Sequence, residues 1–487
     1  MSEAVKILEP KALWNHFADI NEIPRASKKE ERIIQFMLDF GEGLGLETFK
    51  DHIGNVIIKK PASPGMENRQ TVVLQSHLDM VHQKNNDTVF DFDTQGIQMI
   101  VDGDWVKADG TTLGADNGIG VASIMAVLSS DTIQHPAIEA LFTIDEETGM
   151  TGALELKGGI LSGSIMLNLD TEDDDELTIG CAGGIDITAK GNYPQNTTDA
   201  SYITYKLNLK SCTGGHSGMD IHKGRANANK LMNRVLMALN TEFNISINSI
   251  DGGGLRNAIP RESIAYISFA PDQEASLQGK LSDFQNVLSQ EYNTTDPGIE
   301  LLSEAVDRME SCLEKDFQNK ILMSLYACPN GIYRMSPDIE GLVQTSNNLA
   351  RVLLQDGNYE IMCLTRSSVE TEKSDLVNAI RASLNLAGLD VSTGGSYPGW
   401  TPKPSSEIVQ LMADIYRNTF NEEPNVNACH AGLECGILGT NYPEMDMISF
   451  GPNIRGAHSP DERAQISSVQ KFWKFFLLTL ESIPSRN

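Results

Sequence analysis

Apolar positions in the first 185 residues follow two different periods. "KALWNHFADI" and "KEERIIQFMLDFGEGLG" space them as one face of a helix, and the second stretch closes on Gly. "NVIIKK", "TVVLQ", "IEALFTID" and "SIMLNL" are short, nearly unbroken apolar runs, the pattern of strands buried on both faces. "ADNGIGVASIMAVLSS" reads as a helix entered from a Gly/Asp loop. Strands alternating with helices predict a mixed, mostly parallel sheet flanked by helices, an α/β fold.

Near residue 185 the pattern changes. "IDITAKGNYP" and "SYITYKLNLKSC" alternate apolar and polar positions, as half-exposed strands do, and "RESIAYISFA", "NLARVLLQDGNYEIMCLTRSS" and "DLVNAIRASLNLAG" continue an antiparallel α+β mixture. A helix is expected in "KGRANANKLMNRVLMALN". After "GSYPGWTPKPSS" the first pattern returns, with a helix in "EIVQLMADIYRNTF", a strand in "MDMISFGP" and a closing helix in "SSVQKFWKFFLLTLESI". The expected organisation is a discontinuous α/β domain, 1–186 and 396–487, carrying an inserted α+β domain, 187–395.

Composition narrows the function classes. The 487 residues carry 38 Lys and Arg against 66 Asp and Glu, a net charge of −28. Such a surface repels nucleic acid and anionic membranes, so neither is an expected partner. No stretch has the form of a signal peptide or of a membrane-spanning helix. The seven Cys are scattered and form no C-x-x-C pair, which fits reduced thiols and a cytoplasmic location.

The candidate chemistry lies at strand and loop ends. His77 and Asp79 in "QSHLDM" follow the apolar run that starts at Thr71. Asp116 stands in "LGADNG", Glu146 and Glu147 in "TIDEETG", Asp170 in "LNLDTED" and His458 in "RGAHSPDE". Each segment alone has an ordinary reading: H-x-D can end a strand, Asp116 can cap a helix, acidic runs are commonly solvated, and His458 can be a loop residue. In a parallel sheet, however, the carboxyl ends of strands meet along one edge, where ligand sites lie. Imidazole and carboxylate together suit Zn²⁺, with Co²⁺ or Mn²⁺ as substitutes. Charge favours two cations. Asp116, Glu147 and Asp170 with one bridging hydroxide balance two divalent ions, whereas a single ion leaves excess negative charge. On that scheme Asp116 bridges, His77 and Asp170 hold one ion, Glu147 and His458 hold the other, Glu146 handles the water's proton, and Asp79 orients His77.

The series "SHLDM", "GADNG", "DEETG", "NLD" and "GAHSP" resembles the di-zinc aminoacylase and carboxypeptidase-G type metallopeptidases. "CTGGHSGMDIHKGRANA", "GGGLRNAIPRE" and "ACHAGLECG" look most like the aminoacyl-histidine (Xaa-His) dipeptidases, the bacterial carnosinase type. The resemblance runs nearly end to end. It implies a zinc-peptidase catalytic domain with two Zn²⁺ per chain, the metal-ligand and base roles above, and a dipeptide substrate, preferentially Xaa-His such as carnosine. It implies that the insert is a lid and a homodimerisation surface. It also implies that His216 polarises the scissile carbonyl and that Asn257, Arg366, His430 and Glu434 contact substrate. His222 reads only as a helix-start residue. An N-acyl amino acid deacylase or a broad aminopeptidase on the same site is the alternative reading. A binding protein on an inactive hydrolase fold is a third.

Overall fold

The apolar run after Thr71 forms the strand Val72–His77, buried at all six positions. Its neighbours Ile138–Thr143 and Ile165–Asn168 are buried at every position too, and both pair with it in parallel. That explains the missing alternation: neither face of these strands meets water. The coordinates are a computed structural model that describes residues 3–85 and 87–486.

The chain divides into two compact units. One runs to Gly180 and includes Trp400–Ala428 and the chain from Leu433 onward. The other comprises Cys181–Gly399 and Cys429–Gly432. The sequence pattern predicts changeovers at 186/187 and 395/396, with 429–432 in the α/β part. The observed boundaries move by a few residues, and the short segment containing His430 packs with the second unit instead. A four-residue excursion changes neither composition nor periodicity, so the pattern of apolar positions carries no trace of it.

Among the described residues, the first unit's main sheet runs Glu47–Lys50, Val56–Lys60, Ile138–Thr143, Val72–His77, Ile165–Asn168, Asp446–Ser449, Glu176–Cys181, Asn425–Cys429. Its centre, from Ile138–Thr143 to Asp446–Ser449, is parallel, and antiparallel pairs flank it. Helices Lys11–Asn21 and Ala115–Ser129 pack together beside it, with Trp14 and Phe17 fully buried. Helix Ala115–Ser129 is buried almost all round, which accounts for its lack of a polar face.

The second unit is built on an antiparallel sheet whose long central hairpin is Val343–Gln355 and Asn358–Ser367. Asp356 and Gly357 form its two-residue turn, both at positive φ (51° and 76°), the geometry that "DG" favours. Helices Ala228–Phe243, Lys315–Ala327 and Glu370–Asn385 bury Leu231, Leu322, Ile380 and their neighbours in one core with the strand residues Leu207, Ile267 and Ile361.

Candidate metal centre and its surroundings

Topology brings the candidate residues of the first unit to one edge. His77 is the last residue of its strand and lies opposite Thr143 in the parallel neighbour. The chain leaving Thr143 reaches Glu146 and Glu147 within one turn. The chain leaving Asn168 reaches Asp170 two residues on. Asp116 lies in the first turn of Ala115–Ser129, yet its own backbone is not helical (φ −81°, ψ 109°). Its two carboxylate oxygens face His77 and His458. His458 follows the short strand Ile454–Arg455 and has φ +62°, a left-handed conformation that few non-Gly residues adopt.

Asp116 sits between two imidazoles. Its Oδ1 lies 3.1 Å from His77 Nε2 and its Oδ2 lies 3.2 Å from His458 Nε2. Asp170 Oδ1 is 3.6 Å from His77 Nε2, and Glu147 Oε2 is 2.9 Å from His458 Nε2. Candidate ligand atoms of His77, Asp116 and Asp170 lie within 4.8 Å of one another, as do those of Asp116, Glu147 and His458. Asp116 belongs to both sets. His77, Glu146 and Glu147 also meet within that distance, so Glu146 borders the cluster without sharing the Asp116 sets.

These donors suit divalent cations. The sets combine imidazole nitrogen with carboxylate oxygen, the ligands of Zn²⁺, Co²⁺ and Mn²⁺ sites. Glu147 Oε1 is buried and has no hydrogen-bond partner, a costly state that a cation would relieve. The electrostatics agree. Hydrogen bonds to Asp116 and Glu147 push His458 up to about 11. Burial disfavours a charged His77, yet Asp170, Asp116 and Asp79 raise it well above the ordinary imidazole value. Burial pushes Asp116 up, but its bonds to His458 and His77 hold it far below the usual carboxylate range. The site thus draws positive charge onto itself. Burial, with Glu434, Glu147 and Asp116 nearby, raises Glu146 well above the usual value against the pull of His77, and burial raises Asp170 likewise.

A further layer of bonds fixes these groups. His77 Nδ1 lies 3.1 Å from the Asp79 carbonyl. The Asp79 carboxylate accepts the N–H of Glu146 at 3.0 Å and of Glu147 at 3.2 Å, and the Ser27 hydroxyl at 2.8 Å. Asn117 donates to Asp170 Oδ1 at 2.6 Å. Glu434 is fully buried, and its Oε2 accepts from Gln75 (2.6 Å) and Thr143 (2.7 Å) while Oε1 has no partner. Burial raises this carboxyl to about 7, against the pull of His77. Sequence reasoning missed Ser27, Gln75, Asn117, Thr143, Arg25 and Glu462. The available signal was polar residues inside apolar runs: Gln75 in "TVVLQ", Thr143 in "IEALFTID" and Asn117 opening a buried helix.

In the second unit, His216, Arg366 and His430 gather with Ser217 and Tyr397. Arg366 is 5% exposed and its hydrogen-bond partners are neutral, Tyr397 Oη at 2.8 Å and Ser217 Oγ at 3.5 Å, while His216 Nε2 lies 3.5 Å from Nη2. His216 Nδ1 accepts the N–H groups of Gly218 (3.2 Å) and Met219 (3.0 Å), which leaves its proton on Nε2. Burial, then Arg366, lowers the His216 pKa, so the ring is neutral near pH 7. His430 Nε2 bonds Ser346 Oγ at 2.7 Å, and any side chain at Gly218 would strike the His430 carbonyl. Asn257 joins only through its backbone, its carbonyl accepting the Ser217 N–H at 2.7 Å, and its residue is exposed. His222 lies in the short 3₁₀ turn Ile221–Lys223 and is exposed.

Residues 73–482 match Peptidase family M20/M25/M40, and the chain belongs to this family. The chain is similar to the cytosol non-specific dipeptidase of Escherichia coli K12, 43% identical over 479 residues, 98% of this chain and 99% of that protein. The crystal structure of the aminoacylhistidine dipeptidase of Vibrio alginolyticus superposes with a TM-score of 0.94 at 43% identity and covers 100% of both chains. An aminopeptidase of Bacillus cereus shares the fold at a TM-score of 0.57 and 15% identity, covering 98% of this chain and 99% of that one.

Proposed function

We propose that this chain is a two-metal dipeptidase, with Xaa-His dipeptides such as carnosine as preferred substrates. The observation that carries the reading is Asp116, one oxygen facing His77 and the other facing His458. In it, His77 and Asp170 would hold one divalent cation and Glu147 and His458 the other, with Asp116 placed to serve both. When bound, two such cations polarise the scissile carbonyl and bring the pKa of a water toward neutrality. Zn²⁺ is the assigned metal, with Co²⁺ or Mn²⁺ as substitutes.

The chain's own residues do the rest. Glu146, held at the first turn by Asp79, takes the proton from the attacking water and delivers it to the leaving amine. His216, with its proton on Nε2, donates to the oxygen that becomes negative in the tetrahedral state. Arg366, a nearly buried guanidinium with neutral partners, is assigned to the substrate's C-terminal carboxylate. The unpartnered Oε1 of Glu434 suits a substrate ammonium, and Asn257 and His430 complete the assigned contacts. The likeness to the two dipeptidases at 43% identity supports the substrate class.

The inserted unit is assigned as lid and homodimer surface, which sedimentation of the purified chain tests. Among the described residues no helix is long and apolar enough to cross a membrane, and the Escherichia coli relative is named for the cytosol, where we place this chain. The test of function is metal analysis paired with hydrolysis of Xaa-His, Xaa-Leu, tripeptide and N-acetyl amino acid substrates. Two ions per chain and fastest turnover of Xaa-His support the reading. Preferred hydrolysis of N-acetyl amino acids or tripeptides turns it to the deacylase or aminopeptidase alternative, and a metal-free inert chain turns it to a binding protein.

A further inference from the structure

The loop that ends in His458 continues to a buried glutamate with an unusual set of partners. Glu462 is 1% exposed. Its Oε2 accepts the N–H groups of Leu113 (2.8 Å) and Gly114 (3.0 Å). Its Oε1 accepts those of Ala115 (2.7 Å) and Asp116 (3.2 Å). A carboxylate separated by more than 340 residues thus satisfies the free donors at the start of helix Ala115–Ser129, where Gly114 offers no side-chain cap. The convergence of these N–H groups depends on Gly114, at φ +70°.

Arg25 grips the same segment from the other side. It too is 1% exposed. Its Nη2 donates to the Gly114 carbonyl at 2.7 Å, and its Nη1 donates to the carbonyls of Leu78 (3.1 Å) and Asp79 (3.2 Å). A Cβ at Gly114 would run into Arg25 Nη2, so the guanidinium lies directly against that backbone. The anion thus takes the donors of one peptide segment and the cation takes an acceptor of it. Arg25 ties it to the end of the His77 strand, and Glu462 ties it to the His458 loop.

We propose that Arg25 and Glu462 are positioning residues that set the Asp116 carboxylate between His77 and His458. The need for them lies in Asp116 itself, whose non-helical backbone leaves its place unspecified by the helix that follows. Neither residue reaches a ligand atom, and both act through the main chain of 113–116. The proposal rests on the two-metal reading of the site.

The test is a metal titration of wild-type chain and E462Q, read by competition with a chromophoric chelator, with a dipeptide kcat and KM for each. The amide of E462Q keeps one accepting oxygen and turns an N–H toward donors, so half of the clamp is lost. Metal affinity is expected to fall about 10–100-fold, as for other groups that orient ligands. The kcat at limiting metal falls with it, KM stays within about two-fold, and the visible spectrum of the Co²⁺-loaded variant changes. A residue that merely supported the fold would lower the unfolding temperature of the metal-free chain and leave affinity and spectrum unchanged; that result overturns the proposal alone. A wild type that binds no metal overturns the two-metal reading and this proposal together. Where E462Q does not fold, amide hydrogen exchange of 113–116 in the metal-free wild type decides. Protection equal to that of the loaded chain supports the clamp, and exchange at loop rates overturns it.

Discussion

The carboxylate of Asp79 accepts the backbone N–H of Glu146 at 3.0 Å, so the residue that borders the His77 ring also fixes the start of the turn that carries the assigned base. Glu146 itself lies beside the ligand sets rather than in those that share Asp116. Replacing it by Ala is therefore expected to leave two metals bound and to lower kcat by about 10²–10⁴-fold, the usual worth of a positioned acid–base group. Metal analysis and steady-state kinetics on the same preparation check this. Near-normal turnover removes Glu146 from the role.

Arg366 makes its hydrogen bonds to the neutral Tyr397 and Ser217 hydroxyls, which leaves the guanidinium able to take an anion. Arg366→Ala is expected to raise KM for dipeptides with a free carboxylate by about 10–100-fold, the loss of a hydrogen bond to a charged group. The same substitution should leave dipeptide amides within about two-fold. Comparing the two substrate series measures it, and an equal effect on both excludes carboxylate recognition.

His430 provides a pH dependence away from the metal cluster. Burial, then the neighbouring Arg366, His216 and His222, push its pKa down to about 3. The unfolded chain takes up a proton near pH 6.5, while the folded chain keeps the ring neutral to about pH 3. Stability is therefore unaffected by this group above pH 6.5 and is lost as pH falls from 6.5 toward 3, at up to about 1.4 kcal/mol per pH unit. Urea unfolding of metal-free wild type and His430→Gln at pH 7.5 and 5.0 is expected to show the variant losing roughly 2 kcal/mol less over that interval. Equal losses contradict a neutral, buried His430.

Chelation is expected to abolish hydrolysis and to lower the unfolding temperature, because ions that bind only the folded state stabilise it by mass action, about 2.7 kcal/mol at 100 times Kd. Calorimetry with graded Zn²⁺ reads this directly. An unfolding temperature that does not respond to Zn²⁺ argues against a site in the first unit's fold.

Why some of this was readable in the sequence and some was not follows from particular residues. His77, Glu147 and Asp170 stand at the ends of apolar runs, and a parallel sheet necessarily gathers such ends. The "DG" at Asp356 and Gly357 carries a hairpin signal that the pattern of apolar positions alone does not use, both residues taking the positive φ such a turn requires. Arg25 and Glu462, by contrast, look like ordinary charged loop residues, and only burial against distant backbone reveals what they hold. Glu434 is expected from the resemblance as a substrate contact, but what holds it is not legible, since Gln75 and Thr143 lie more than 290 residues away in sequence. The passage of Cys429–Gly432 into the second unit depends on packing that periodicity does not encode.

The most direct test of the account is anomalous diffraction from crystals of the metal-loaded chain. Two peaks about 3.5–4 Å apart, one near His77 and Asp170 and the other near Glu147 and His458, with Asp116 reaching both, are the expected result. A single peak, or two peaks that Asp116 does not join, would contradict it.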